Sequence, residues 1–390
     1  MQSRRVIASV AIVNAFASGA DAQWTVTILH PAGASTSRAI GASAGRQVGA
    51  AYLGGWRAGM WSGSAASWIN LHPAAASSST AWDVSGFQQV GDAHVGGVTK
   101  ASLWHGSAAT WLSLHPTGAT ESRARGIDGG VQVGSAYVGD WRAGMWSGTA
   151  ASWVNLNPIG SVRSLAYGVG DGQQVGYARI NGVNRASLWT GSASSWVDLH
   201  PAGANESWAV AAQGGEQVGS VYVGTASSGR ASLWHGSAAS WVNLHPAGAT
   251  ESEAWGVNAG QQVGWATMGG VDHAGLWRDS ANSWTDLHVF LSPVLVESQA
   301  NGVWSDWLST FVVGLAWDTK GFFYAVMWEG PAPAACYPDC NADGSLTVGD
   351  FGCFQTKFVV ADPYADCNAD GQFTVADFGC FQTRFVLGCP

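Results

Sequence analysis

The sequence predicts an all-β architecture, a seven-bladed β-propeller, with a small α-helical tail. Three observations carry that prediction. A Trp-bearing segment returns about every 43 residues, the spacing expected of propeller blades. Glycine and tryptophan number 53 and 23 of 390 residues while only 11% of the chain is charged, a composition of short strands and tight turns rather than of a helical bundle. All six cysteines lie between Cys336 and Cys389, so the last part of the chain is stabilised differently from the rest.

Each repeat reads as four short strands. Trp24, Trp68, Trp111, Trp153, Trp196, Trp241 and Trp284 mark the last of them, as in "SWVNLHP" ending at Pro246. Ahead of the last six comes a second signature, "RAGMW", "KASLW", "RASLW" or "HAGLW", ending at Trp61, Trp104, Trp146, Trp189, Trp234 and Trp277, and "YAVMW" ends a seventh at Trp328. Upstream again stands Gln-Val-Gly or a relative, as at Gln47-Val48-Gly49, Gln132-Val133-Gly134 and Gln262-Val263-Gly264. Apolar runs this short, parted by Gly, Ser and Asn clusters, are strand and turn chemistry. Four-stranded units of this length make propeller blades, with Trp and Leu packed between neighbours.

The chain begins with a lone last-type strand, "WTVTILHP", and its repeats end, at about 299–328, with three strands lacking a fourth. The N-terminal strand is therefore expected to complete the last blade, leaving no open sheet edge at the join. Residues 1–22 read as an export signal: Arg4-Arg5, an apolar run from Val6 to Ala17, then Ala20-Asp21-Ala22 at the cleavage site. That run is too short to span a bilayer, and no transmembrane segment is expected in the mature protein. The domain reading is 1–22 signal peptide, 23–330 propeller, 331–335 Pro/Ala linker and 336–390 tail.

The His-Pro pairs invite a catalytic or metal reading, and the repeat argues against it. His30, His72, His115, His200, His245 and His288 end the outermost strands, whose ends diverge around a propeller, so they cannot meet on one metal; a structural role is expected. The convergent positions belong to the innermost strands. The residue after the first-strand Ala changes from unit to unit: Ile40, Trp82, Arg125, Tyr167, Val210, Trp255, Asn301. Trp82, Arg125, Tyr167, Trp255 and Asn301 are the ligand-binding candidates, a small-ligand or glycan platform if they line the central channel. The near-ring Arg57, Lys100, Arg142, Arg185, Arg230 and His273 is expected to pair with nearby acids such as Glu121, Glu206 and Glu251 or to be solvated. Ser43 in "GASAG" falls between two strands of a blade, not on a strand-to-helix elbow, and is set aside as a nucleophile. The "VDHAGLW" and "RASLW" cores, each preceded by Q-V-G and a glycine turn, resemble the extracellular HAF-type repeat family over about residues 38–328. That resemblance implies an exported repeat protein and no particular reaction.

In the tail, "DCNADGSLTVGD" (339–350) and "DCNADGQFTVAD" (366–377) place oxygen ligands at positions 1, 3, 5, 7, 9 and 12 of an EF-hand-like loop, with Gly344 and Gly371 at the sharp turn. The metal candidates are Asp339, Asn341, Asp343, Ser345, Thr347 and Asp350 in the first loop and Asp366, Asn368, Asp370, Gln372, Thr374 and Asp377 in the second; hard oxygens at this spacing suit two Ca2+ ions. A helix is expected after each loop, because Phe351, Phe354 and Phe358, like Phe378, Phe381 and Phe385, share one face, and the two Phe faces should bury each other. Repeated "DCNADG" and "DFGCFQT", with the terminal "GCP", resemble a dockerin, more narrowly the Cys-containing dockerin-like C-termini of planctomycete-type surface proteins. This implies a Ca2+-dependent anchor to a cohesin-like or cell-surface scaffold partner. Positions 10 and 11, Val348-Gly349 and Val375-Ala376, differ from the Ser-Thr type of cellulosomal dockerins. Six cysteines in an exported tail point to disulfides. Cys340 and Cys367 share one loop position and Cys353 and Cys380 another, so these four should pair symmetrically, leaving Cys336 with Cys389 to clasp the ends.

The net charge of −9, of which residues 331–390 carry −5 through seven Asp against Lys357 and Arg384, leaves no basic stripe for nucleic acid. The sequence thus predicts an exported, surface-attached binding protein, its propeller presenting a surface for a ligand such as a polysaccharide, with no catalytic constellation. The competing readings are a propeller-type glycan hydrolase or lyase using Asp83, Asp128, Glu206 or Glu251, and a purely structural surface protein.

Overall fold

The computed structural model describes residues 24–224, 228–306, 309–332, 340–341, 346–367 and 372–387; the expected signal peptide lies outside them. Seven four-stranded antiparallel sheets form the seven blades of a propeller, six of them running from an innermost to an outermost strand in chain order. In blade 1 these are Ser37–Ser43, Arg46–Tyr52, Trp56–Trp61 and Ile69–Asn70. Blade 7 takes Leu295–Ser305, Ser309–Asp318 and Phe323–Pro331 from one end of the chain and Thr25–Ile28 from the other. Thr25 pairs with Glu329 and Ile28 with Val326, so the N-terminal strand closes the ring as expected.

Both faces of a blade are buried, because each packs on a neighbour. Val90, Ala101, Leu103 and Leu114 of blade 2 form one cluster with Ala124, Ile127 and Trp146 of blade 3. At the closure, Leu29, Val313, Ala325 and Met327 of blade 7 meet Ala39 and Trp61 of blade 1. The Trp ending each third strand, from Trp61 to Trp328, is completely buried between blades. Replacing one by Ala removes about 3–5 kcal/mol by the usual large-to-small penalty.

The outermost strands of the other blades have only two residues, whereas that of blade 7 has four. This explains why Trp24 stands two residues further from its His-Pro than its counterparts do. Its ring covers Gly330, where Trp68 and Trp153 cover Gly59 and Gly144. A Cβ at Gly59 would come within 2.0 Å of the Trp68 ring, so the Gly of "RAGMW" is set by the Trp that follows it.

In the tail, α1 (Val348–Val359) and α2 (Val375–Leu387) follow the two Asp-rich loops. Their rings pair antiparallel: Phe354 stacks on Phe381 at 4.2 Å, Phe351 meets Phe385 at 4.6 Å and Phe358 meets Phe378 at 4.7 Å. Disulfides join Cys340 to Cys353 and Cys367 to Cys380, the same pairing in each half. Cys336 and Cys389 lie outside the described residues. No helix among the described residues is long and apolar enough to cross a membrane.

Candidate functional site

The His-Pro residues are inter-blade clamps. The His30 Nε2–H donates to the Ala34 carbonyl at 3.0 Å, so its Nδ1 accepts from the Ser37 hydroxyl at 2.7 Å. Ser37 Oγ in turn accepts from the Ala325 amide of the preceding blade. The same relay recurs at His72 with Ser79, His115 with Ser122, His200 with Ser207 and His245 with Ser252. Asn157 substitutes in its unit, accepting from Ser164 through Oδ1 and donating to the Ser161 carbonyl through Nδ2. A neutral imidazole is required, and burial holds His30, His72, His200, His245 and His288 below the ordinary histidine value. In the outer ring Arg185 binds Asp198 at 2.6 Å and His273 binds Asp286 at 2.8 Å, nearby acids as expected but of the outermost strands directly beside them, while Glu251 accepts from the Gly229 amide and Glu121 faces Arg123.

The innermost strands surround a central cavity of about 1380 Å3. Ile40, Trp82, Arg125, Tyr167, Val210, Trp255 and Asn301 all line it, one from each blade. A bulge puts them there. In every blade the ladder skips this residue, as between Ala39 and Gly41, Ala81 and Asp83, or Ala124 and Gly126. A bulged residue is unpaired and its side chain re-aimed. The glycine of Gln-Val-Gly sits opposite and admits the bulge: a Cβ at Gly134 would come within 1.9 Å of the Arg123 carbonyl oxygen, and at Gly49 within 2.0 Å of that of Arg38. Its glutamine braces the turns, Gln132 donating to the Gly130 carbonyl and accepting from the Gly148 amide.

The residue after the bulge is Gly or Ala in six blades because neighbouring strands crowd there; a Cβ at Gly168 would lie 2.5 Å from the Val210 oxygen. Asp83 is the exception. Its two oxygens accept from the Val84 amide at 2.8 Å and the Ile127 amide at 2.9 Å, and burial lifts its pKa to about 7 against those hydrogen bonds. Asp128 and Asp171, further along the channel, likewise accept from the amides of Asp171 and Gly214 in the next blade. Of the four acids considered for catalysis, Asp83 and Asp128 line the cavity and Glu206 and Glu251 do not. Ser43 also lines it, but the strand after it turns back through Ala44 and Gly45 at positive φ into another strand, not into a helix.

Sequence reasoning missed Arg38 and its surroundings. The Arg125 guanidinium lies 3.8 Å from the Trp82 ring centroid, and that of Arg38 lies 5.3 Å from Trp82 and 5.1 Å from Trp56. The Trp82 Nε1–H is held by Asp92 at 2.6 Å. Across the channel, Trp255 donates to Glu253 at 2.8 Å and Tyr222 donates to the other oxygen at 3.2 Å. Arg38 stands two residues before the bulge and lines the cavity, as does Gln299 at the same place in blade 7, but the position carries no motif.

In the tail, Asn341, Thr347 and Asp350 of the first loop, and Asp366, Gln372, Thr374 and Asp377 of the second, are described; Asp339, Asp343, Ser345, Asn368 and Asp370 lie outside the described residues. Asp350 and Asp377 are fully buried. Asp350 accepts from the Thr347 amide at 2.8 Å and the Asn341 amide at 3.3 Å, Asp377 from the Thr374 amide at 2.8 Å. Burial alone would raise Asp350; the amides of Thr347, Asn341 and Cys340 outweigh it and hold the carboxyl below its ordinary value. Both carboxylates are thus held by main-chain amides, and among the described residues no group of three or more His, Cys, Asp or Glu stands together.

No family model matches the chain, and no curated protein matches it in sequence. Among solved structures, the chain is similar to the β-propeller domain of the Trilobed protease from Pyrococcus furiosus, at TM-score 0.51 and 8% identity, over 75% of this chain and 95% of that one. It also matches a putative TolB from Agrobacterium tumefaciens (TM-score 0.44, 11% identity, 57% and 89% covered) and the computationally designed Ika8 protein (TM-score 0.44, 14% identity, 77% and 99% covered). At these identities the likeness is one of fold: the chain is a seven-bladed β-propeller with a disulfide-bonded helical C-terminal region.

Proposed function

We propose that the protein is an exported binding module whose propeller takes a ligand, of the glycan class, at the channel, and whose tail is a Ca2+-dependent anchor. One observation carries the first part. The bulged position carries six residue types in seven blades, and those seven side chains meet in one cavity. Packing positions repeat; a position that diversifies where all blades converge is free to be shaped by a ligand. Trp82, Tyr167 and Trp255 give it aromatic faces, and Arg125 and Asn301 polar groups, the mix a saccharide platform uses.

The tail resembles a dockerin, and the buried position-12 carboxylates of both loops support calcium there. Asn341, Thr347 and Asp350, with Asp366, Gln372, Thr374 and Asp377, would contribute to holding the ions, together with the remaining loop oxygens. Bound calcium supplies charge neutralisation that fixes each loop against its helix. A cohesin-like or scaffold protein is the partner this reading requires, and the two disulfides accord with an oxidising, extracellular setting.

The direct test is saturation binding to an immobilised panel of extracellular polysaccharides, wild type against the Trp82→Ala/Tyr167→Ala/Trp255→Ala variant. A saturable ligand lost in the variant supports the reading; no saturable ligand supports a purely structural propeller. Anchoring is tested by pull-down of surface proteins with the full chain in Ca2+ and in EDTA, a partner retained only with Ca2+ being expected.

A second reading rests on Asp83. A channel carboxyl with a pKa of about 7 is suited to general-acid work on a glycan. Release of new reducing or unsaturated ends, abolished by Asp83→Asn, would favour it over simple binding.

A further inference from the structure

The charges of the channel divide into two groups. Asp83, Asp128 and Asp171 line it, and each is occupied by a main-chain amide of the next blade. Arg38 and Arg125 line it too, and among the described residues neither guanidinium donates a hydrogen bond or forms an ion pair. Their close partners are the rings of Trp82 and Trp56. Three arginines elsewhere do find acceptors: Arg163 reaches Asp140 at 3.1 Å, Arg185 reaches Asp198, and Arg142 reaches the Val162 carbonyl at 2.9 Å. Half-buried cations lacking an acceptor are costly, and burial moves both below the usual guanidinium value. The acid that acts most on both is Asp92, already bound to Trp82.

We propose that Arg38 and Arg125, held on either side of the bulge position of blade 2 by the Trp82 ring, form an oxyanion subsite that binds a carboxylate or sulfate group on the ligand. The inference rests on the channel being the binding site, and adds the ligand's chemistry. A guanidinium presents a planar fork of N–H donors that fits such a group with two parallel hydrogen bonds, and its stacking on Trp leaves that fork free. The overall charge of −9 opposes unspecific attraction of polyanions, so a preference for them must be local.

The test is calorimetric titration of the full chain with two matched pairs: oligogalacturonate and its methyl ester, and sulfated and unsulfated dextran fragments of equal length. At least tenfold tighter binding of one charged member over its neutral partner is expected, and the pair that shows it tells carboxylate from sulfate. Arg38→Gln should remove that preference tenfold or more while changing neutral-ligand binding less than twofold, and Arg125→Gln should remove the preference as fully. Arg278→Gln, an exposed cation on the rim, should change neither. Arg125→Lys keeps the charge if Arg125→Gln fails to fold, and should retain part of the preference. Equal affinity for charged and neutral members overturns the subsite but leaves the channel reading standing. Absence of binding to all four probes overturns both.

Discussion

Single residues explain most of what the repeats have in common. The histidine relay needs an unprotonated ring, and the native values of His30, His72, His200, His245 and His288 lie below that of a free histidine, about 6.5. Below that pH the unfolded chain binds more protons than the native one, so these residues withdraw stability as pH falls, while at pH above it their contribution is complete. Asp83 works in the opposite sense: its raised value withdraws stability as pH rises from about 4 towards 7. His245→Asn, which copies the natural Asn157, isolates the histidine effect. Its melting temperature should fall less than that of the wild type between pH 7.5 and 5.5; an unchanged slope would mean His245 is protonated in the native state. Gly134→Ala should destabilise by roughly 3 kcal/mol, at the upper end of overpacking, because its Cβ meets main chain that cannot move aside. Urea unfolding measures that loss. The structural role of His-Pro was legible from its place at diverging strand ends, whereas Arg38 was not, since nothing in a repeat alignment distinguishes a channel cation from a solvated one.

At the scale of elements, strand order and both tail helices followed from periodicity, because turn glycines and Trp signatures punctuate every unit. The bulge did not. Its signal was present as the glycine of Gln-Val-Gly, but a glycine in a strand marks close approach without saying what approaches. Variation from unit to unit at one innermost-strand position therefore pointed to the seven channel residues for an incomplete reason. The symmetric disulfides were legible from equivalent loop positions, although spacing left the choice of partner open. Each closes a loop of 13 residues, so Cys353→Ser should lower the stability of the helical region by roughly 3 kcal/mol. Hydrogen exchange resolved to α1 and α2 reads this directly, and unchanged protection there would show that the Phe interface suffices alone.

The whole molecule is a ring held shut by its own first strand. Removing residues 24–30 exposes the edge of Phe323–Pro331 and deletes Leu29 and Trp24 from two inter-blade cores. The loss should be about 5 kcal/mol or more, from two large buried side chains, and should appear as a lower melting temperature of the propeller in calorimetry. The same closure fixes the channel, since Asn301 of blade 7 donates to the Ala39 carbonyl of blade 1 at 2.7 Å. The central claim is that the channel is where the ligand sits. Hydroxyl-radical footprinting by mass spectrometry, on the full chain with and without a saturating polysaccharide, tests it most directly. The account predicts protection of Trp82, Tyr167 and Trp255, with Trp68, Trp111 and Trp153 of the outer rim unchanged. Protection confined to the rim or to the tail, with the channel aromatics oxidised as before, would contradict it.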